Sequence, residues 1–201
     1  MSDDREQVCI NSADELRAWL MANHERRDSV WLVTWKKSSP APYVPRREVL
    51  KALLAYGWID SVPRKLDASR TMLLISPRKR GSSWSKVNKE IIDELVAAGA
   101  MAPPGAQAVE AAKRDGSWER LEAVDALMIP ADLRAALDST PNASGFFAAF
   151  PPSSVRGILE WIQNAKRPET RAKRIAETAR KASVNLKANH PKGRDRGPTK
   201  G

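Results

Sequence analysis

The spacing of apolar residues changes character near Gly81. Before that point helical spacing alternates with short, nearly continuous apolar runs; after it the spacing is helical. Ser12 followed by Glu15 forms a capping box, and Leu16, Trp19 and Leu20 predict a helix running to about His24. The run VWLVTW at 30–35 is β-branched and aromatic, follows a polar turn, and predicts a strand covered on both faces. Residues 36–42 hold two prolines and two serines and read as a loop. Pro45 suits a first helical turn; Val49, Leu50, Leu53 and Leu54 keep the helical period, and Gly57 ends it. Residues 58–66 then read as a strand that Pro63 confines to an edge or a bulge. Residues 67–69 are a turn and 71–75 the partner strand, ended by Pro77. Joined to 30–35, this hairpin predicts a small, mainly antiparallel sheet covered by two helices.

Ser85 caps the next predicted helix, which has Val87, Ile91, Ile92, Leu95 and Val96 at its apolar positions and Gly99 at its end. Further helical segments start at Pro103, ended by Gly116, and at Pro130, with Leu133 and Leu137 one turn apart. Trp118, Leu121, Val124 and Leu127 lie between them, and 142–150 (NASGFFAAF) forms a short aromatic helix or turn. Ser153 or Ser154 caps a helix with the stripe Val155, Ile158, Leu159 and Ile162. Pro168 opens a last helix to about Ser183, with Ala172, Ile175, Ala176 and Ala179 on a narrow apolar face and Arg167, Arg171, Arg174 and Lys181 opposite. The expected class is α+β. A flexible N-terminus (1–11) precedes an α+β half (12–82) and a helical half (83–183) packed with it as one unit; a disordered basic tail (184–201) follows.

Composition changes this picture little. An apolar content of 42% with 29% charged residues is ordinary for a folded protein, and no apolar run approaches the ~20 residues of a membrane span. The acidic, polar start MSDDREQ is unlike a signal peptide, and a single cysteine, Cys9, leaves no internal disulfide, so the expected location is cytoplasmic. Charge changes the picture more. The net charge is +10, and from Lys166 onward twelve Lys/Arg stand against three Asp/Glu. With Arg167, Arg171, Arg174 and Lys181 on one helical face, this asymmetry predicts a polyanionic partner, nucleic acid or anionic lipid. The alternative is a solvated helix and tail with no partner.

Candidate chemistry gathers between Gly57 and Asn88. Trp58 and Trp84 bracket the predicted hairpin; they could sandwich a flat ligand, or peg the core. Asp60 shares a strand face with Trp58 and could act near Arg64 or Arg78 as a ligand acceptor, a general base or a structural ion pair. Arg64, Lys65, Arg78, Lys79 and Arg80 stand at the hairpin ends as a basic rim. Ser83, Ser85 and Asn88 could present donors to an anion at a helix N-terminus, or serve only as its cap. The expected ligand site is therefore Trp58, Asp60, Arg64, Arg78, Trp84, Ser85 and Asn88. The chain has no phosphate loop, no GxGxxG and no HExxH. Cys9, His24 and His190 are too scattered for a metal site or a nucleophilic triad, so no catalytic residue, metal or cofactor is assigned.

The blocks GWIDS and SPRKRGSSWSKVN, on either side of the basic hairpin, resemble the bacterial YdeI/OmpD-associated family. So do Pro130-Ala131-Asp132-Leu133, Phe147 and Phe150, Ile162-Gln163-Asn164-Ala165-Lys166 and Glu169-Thr170-Arg171-Ala172-Lys173-Arg174. The resemblance covers most of residues 12–183 and leaves the chain after Lys187 outside it. It implies bacteriocin protection or antimicrobial-peptide resistance, a stress role, and brings no reaction with it. The expected function is non-catalytic protection through binding of a small ligand, peptide or protein partner. The alternatives are a nucleic-acid or anion binding module at the C-terminal basic helix, and an enzyme at the Trp58/Asp60/Trp84 face.

Overall fold

The computed structural model describes residues 4–189 and divides after Arg120 into two units. The α+β class stands: a four-stranded, mostly antiparallel sheet with flanking helices is followed by a helical second unit. The first unit extends past the 82/83 division drawn from the sequence, because two further helices pack with the sheet half.

In the first unit the order is β1 (Gln7–Cys9), α1 (Ala13–Asn23), β2 (Val30–Trp35), α2 (Arg46–Ala55), β3 (Trp58–Lys65), β4 (Arg70–Pro77), α3 (Lys86–Ala97) and α4 (Pro103–Arg114). The strands lie in the order β1-β2-β4-β3. β4 pairs antiparallel with both β2 and β3, and β1 pairs parallel with β2. The segment 1–11, expected to be flexible, thus supplies a strand. β1 has one buried side chain, Val8, so three residues carry no readable alternation.

Local chemistry explains the other elements. The Ser12 hydroxyl accepts from the Glu15 N–H at 3.1 Å, while Glu15 reaches back to the Asn11 N–H at 2.9 Å, one residue earlier than an ideal capping box. Asp67 closes the β3–β4 turn by accepting from the Ser69 and Arg70 N–H groups. Pro63 lies at an irregularity between Asp60 and Pro63 on the edge strand, where a residue without an N–H costs least. Gly57 holds φ +73° at the end of α2, and its carbonyl accepts from the Arg78 N–H at 2.9 Å, which fixes where β4 ends.

Two cores flank α2. One packs α1 and α2 on the sheet, with Leu16, Leu20, Leu32, Leu53, Trp58 and Ile75 fully buried. The other lies among α2, α3 and α4, with Leu54, Trp84, Ile91, Ile92 and Val109. Side chains of this size stabilise by about 1.5–3 kcal/mol each when buried. Val87 and Val96, expected on the apolar face of α3, are exposed. α4 approaches α2 so closely that a Cβ on Gly105 would stand 2.2 Å from the Ala55 carbonyl oxygen.

The second unit comprises α5 (Glu122–Asp125), α6 (Ala131–Asp138), α7 (Ala143–Ala148), α8 (Pro152–Gln163) and α9 (Pro168–Ala182). Its core gathers Leu133, Leu137, Phe147, Ile158, Leu159, Ile162, Ile175 and Ala179. α8 starts two or three residues earlier than Ser153 or Ser154 would set it: Pro151 is the N-cap and Pro152 the first helical residue. The buried face of α9 is Ile175, Thr178, Ala179 and Ala182; Ala172 and Ala176, expected on it, are exposed. Thr178 is tolerated there because its hydroxyl donates to the Arg174 carbonyl at 2.8 Å. Of the expected basic tail, residues 184–189 are described and Ala188 is buried in this core; the rest lies outside the described residues.

Candidate functional site

The two indoles that bracket the hairpin do not meet. Trp58 is fully buried in the sheet core, edge-on to Trp19 at 5.5 Å. Trp84 is buried in the other core, 5.1 Å from Trp118. A concavity shared by both, as the sequence suggested, does not form, because each indole is drawn into a different side of α2. Asp60 forms an ion pair with Arg46, a residue the sequence reading had not singled out. Arg64 lies 4.8 Å over the Trp31 ring, away from Trp84. Ser85 accepts from the Asn88 N–H at 3.3 Å, a helix cap.

Arg78 and Trp84 are the pair the fold does bring together. The guanidinium lies 3.7 Å over the ring centroid and donates to the Ser83 carbonyl at 2.7 Å. Burial pushes the Arg78 pKa down to about 10, against the field of Asp60, which raises it.

The basic face of α9 is largely occupied. Arg171 makes a two-pronged contact with Asp132 at 2.7 and 3.0 Å. Arg174 donates to the Trp161 carbonyl and lies 5.0 Å over the Trp161 ring. Lys181 pairs with Glu177 at 3.4 Å. Arg167, at the N-cap, is exposed.

The largest change from the sequence reading is a pocket of about 390 Å³ in the first unit, within the size range of small-ligand sites. Its floor is the paired residues Leu32 and Leu73, with Thr34 and Thr71 two pairs further along β2 and β4. Tyr43 and Val44 of the β2–α2 loop and Val49 of α2 form one side; Trp35 forms another. Its apolar surface continues the sheet core, since Leu32, Val44 and Val49 belong to both. Trp35 is held by its indole N–H, which donates to Asn11 at 2.9 Å, and by Arg70 over its ring at 5.7 Å.

The rim is cationic. Lys36 is fixed on the Asp67 and Ala68 carbonyls at 2.6 and 3.0 Å, and Arg46 is paired with Asp60. Lys37 is exposed and makes no ion pair with a described residue. The lining holds no carboxylate, imidazole or thiol. The arrangement can therefore take up an apolar or aromatic body and attract an anionic group at its mouth. A sequence signal existed: two lysines and a tyrosine stand in the proline-rich loop that joins a buried strand to a helix.

Among the described residues no group of acidic, His or Cys side chains could hold a metal ion, and no helix is long and apolar enough to cross a membrane. Residues 8–108, which contain the whole pocket, match the model of a domain of unknown function, DUF8412. Residues 126–185, which contain α6 to α9, match the model described as bacteriocin-protection, YdeI or OmpD-associated. The GWIDS block and its basic hairpin fall in the first match and the C-terminal blocks in the second. No curated protein and no solved structure matches the chain. The chain thus belongs to the DUF8412 family by its first half, and its second unit bears out the resemblance to the bacteriocin-protection, YdeI or OmpD-associated family.

Proposed function

We propose that the protein is a non-catalytic binding protein with a protective role, and that its ligand enters the pocket between β2, β4 and the β2–α2 loop. The observation that carries this reading is the pairing of an apolar cavity of about 390 Å³ with three cations at its rim and no acidic lining residue. A binding role is also supported by a lining without an acid–base pair at hydrogen-bond reach, which general catalysis needs. The ligand class is an anionic amphiphile: an apolar or aromatic body with one carboxylate or sulfonate-like end. Direct capture of a cationic peptide at this mouth is disfavoured, since like charge repels at Lys36, Lys37 and Arg46 and the whole chain carries +10.

The anionic fluorophore anilinonaphthalene sulfonate tests the reading on the full chain. Saturable binding is expected, weakened roughly tenfold by Lys37→Glu, a change on an exposed side chain that leaves the fold intact. Tyr43→Ala should weaken it as well. Binding that is non-saturable, or that ignores both substitutions, would end the assignment of the pocket. A bacteriocin-challenge assay with the Lys37→Glu chain then asks whether the pocket serves protection.

A further inference from the structure

The loop between β4 and α3 faces the C-terminal end of α4 across a small cleft of about 50 Å³ that shares no lining residue with the pocket above. Arg78 forms part of its wall. One guanidinium nitrogen is spent on the Ser83 carbonyl; Nε and Nη1 are buried and meet no acceptor among the described residues. Ser117 also lines the cleft and is 1% exposed. Its hydroxyl lies beside Asp115 yet makes no hydrogen bond of good geometry among the described residues. Lys79 and Arg80 stand exposed on the same cleft, and a shallow hollow that continues past Arg80 adds Arg114.

Buried donors without acceptors are costly, more so when charged, and native folds rarely leave them so. Here two buried guanidinium N–H groups and one buried hydroxyl belong to residues that line the same small cleft. A neutral acceptor would satisfy hydrogen bonds and leave the charge. A multi-oxygen anion satisfies both. The carboxylate in the lining, Asp115, accepts from the Ser117 N–H at 2.9 Å, and the Ser117 hydroxyl and the Gly81 N–H beside it hold its pKa below the ordinary carboxylate range, so it ties the facing loops together. Donors on facing walls suit oxygens that diverge tetrahedrally better than the coplanar pair of a carboxylate.

We propose that this cleft binds a phosphate-type oxyanion, either inorganic phosphate or the phosphoryl end of a small ester, on one free edge of the Arg78 guanidinium and the Ser117 hydroxyl, with Lys79 and Arg80 at its edge. Near neutral pH inorganic phosphate is a mixture of mono- and dianion and a phosphate ester is mostly the dianion; neither needs a metal to be held there.

The test is calorimetric titration of the full chain with inorganic phosphate and, separately, with glycerol 3-phosphate, against chloride at equal ionic strength. Saturable binding of at least one phosphate source is expected. Ser117→Ala, which removes a hydroxyl and nothing else, should weaken it several-fold, and Arg80→Gln, on an exposed residue, should weaken it by a similar factor. Arg78→Lys should weaken it roughly tenfold or more, because an ammonium cannot reproduce the planar donor pair. Preference for the ester assigns the cleft to a phosphorylated metabolite; preference for phosphate assigns it to the free anion. No heat beyond that of chloride for either source would overturn the proposal. So would binding that Ser117→Ala leaves unchanged, whatever Arg80→Gln does, since a merely basic surface behaves that way. Neither failure touches the amphiphile pocket, which has other residues and another probe.

Discussion

Arg78 is held at a cost that its contacts offset only in part. Stacking on Trp84 and one hydrogen bond to Ser83 favour it; desolvation and two unpartnered nitrogens oppose it. Its depressed pKa carries a sign. A cation whose pKa is lower in the folded state weakens folding at all pH values below about 10, and that penalty is relieved as pH rises through this value. Arg78→Met fills a similar volume without the charge. Its denaturant midpoint should lie within about 1 kcal/mol of the parent or above it, as when buried ion pairs give way to apolar side chains. A loss of several kcal/mol would show that the stack is a structural pillar. The sequence placed Arg78 and Trp84 in one expected site without pairing them, and the partner of Asp60 was not visible. Arg46 lies fourteen residues away on another element, and only the packing of α2 on β3 brings it there.

At the scale of elements, α9 shows why a helical face can be misread. An apolar count favoured Ala172 and Ala176, yet the buried side is set by Ile175, Thr178, Ala179 and Ala182. The small, featureless alanines fit either side, and a threonine bonded to its own helix reads as polar from sequence. Arg171 and Arg174 consequently flank the buried face instead of opposing it. Arg171 ties α9 to α6, and its hydrogen bond holds the Asp132 carboxyl below the ordinary carboxylate value. A lowered carboxylate pKa stabilises the fold above the ordinary value of 3.8 and loses that contribution as pH falls through the lower folded value. Asp132→Asn should cost under about 1 kcal/mol near neutral pH, because the pair is partly exposed, and should flatten the acid limb of a pH-resolved urea midpoint. An unchanged limb would show the pair to be idle. Elements with a strong local signal were legible: β2 matches its expected bounds, and Pro63 sits on the edge strand as its missing N–H requires. β1 was not, because a three-residue parallel strand is defined by its partner and not by its own pattern.

At the scale of the molecule, separate cores predict separable responses. Six of the seven tryptophans lie before Leu121; Trp161 alone lies in the second unit. Ile162→Ala should cost the second unit roughly 2–5 kcal/mol, seen as an earlier loss of helical dichroism. The main fluorescence transition, which reports the first unit, should stay in place. A common shift of both signals would mean one cooperative unit, as the sequence alone had suggested. The pocket was hidden from the sequence for a related reason: its floor pairs Leu32 with Leu73, positions that read as ordinary core and become a site only where the covering helices stop. The order β1-β2-β4-β3 also governs how the sheet behaves in crowded solution. β3 is the long outer strand, and it interrupts its ladder at Pro63 and carries Arg64 and Lys65 at its end; β1 offers three residues. A strand from another copy finds no unbroken row of donors and acceptors to extend, so the sheet terminates itself and resists polymerising edge to edge at high concentration.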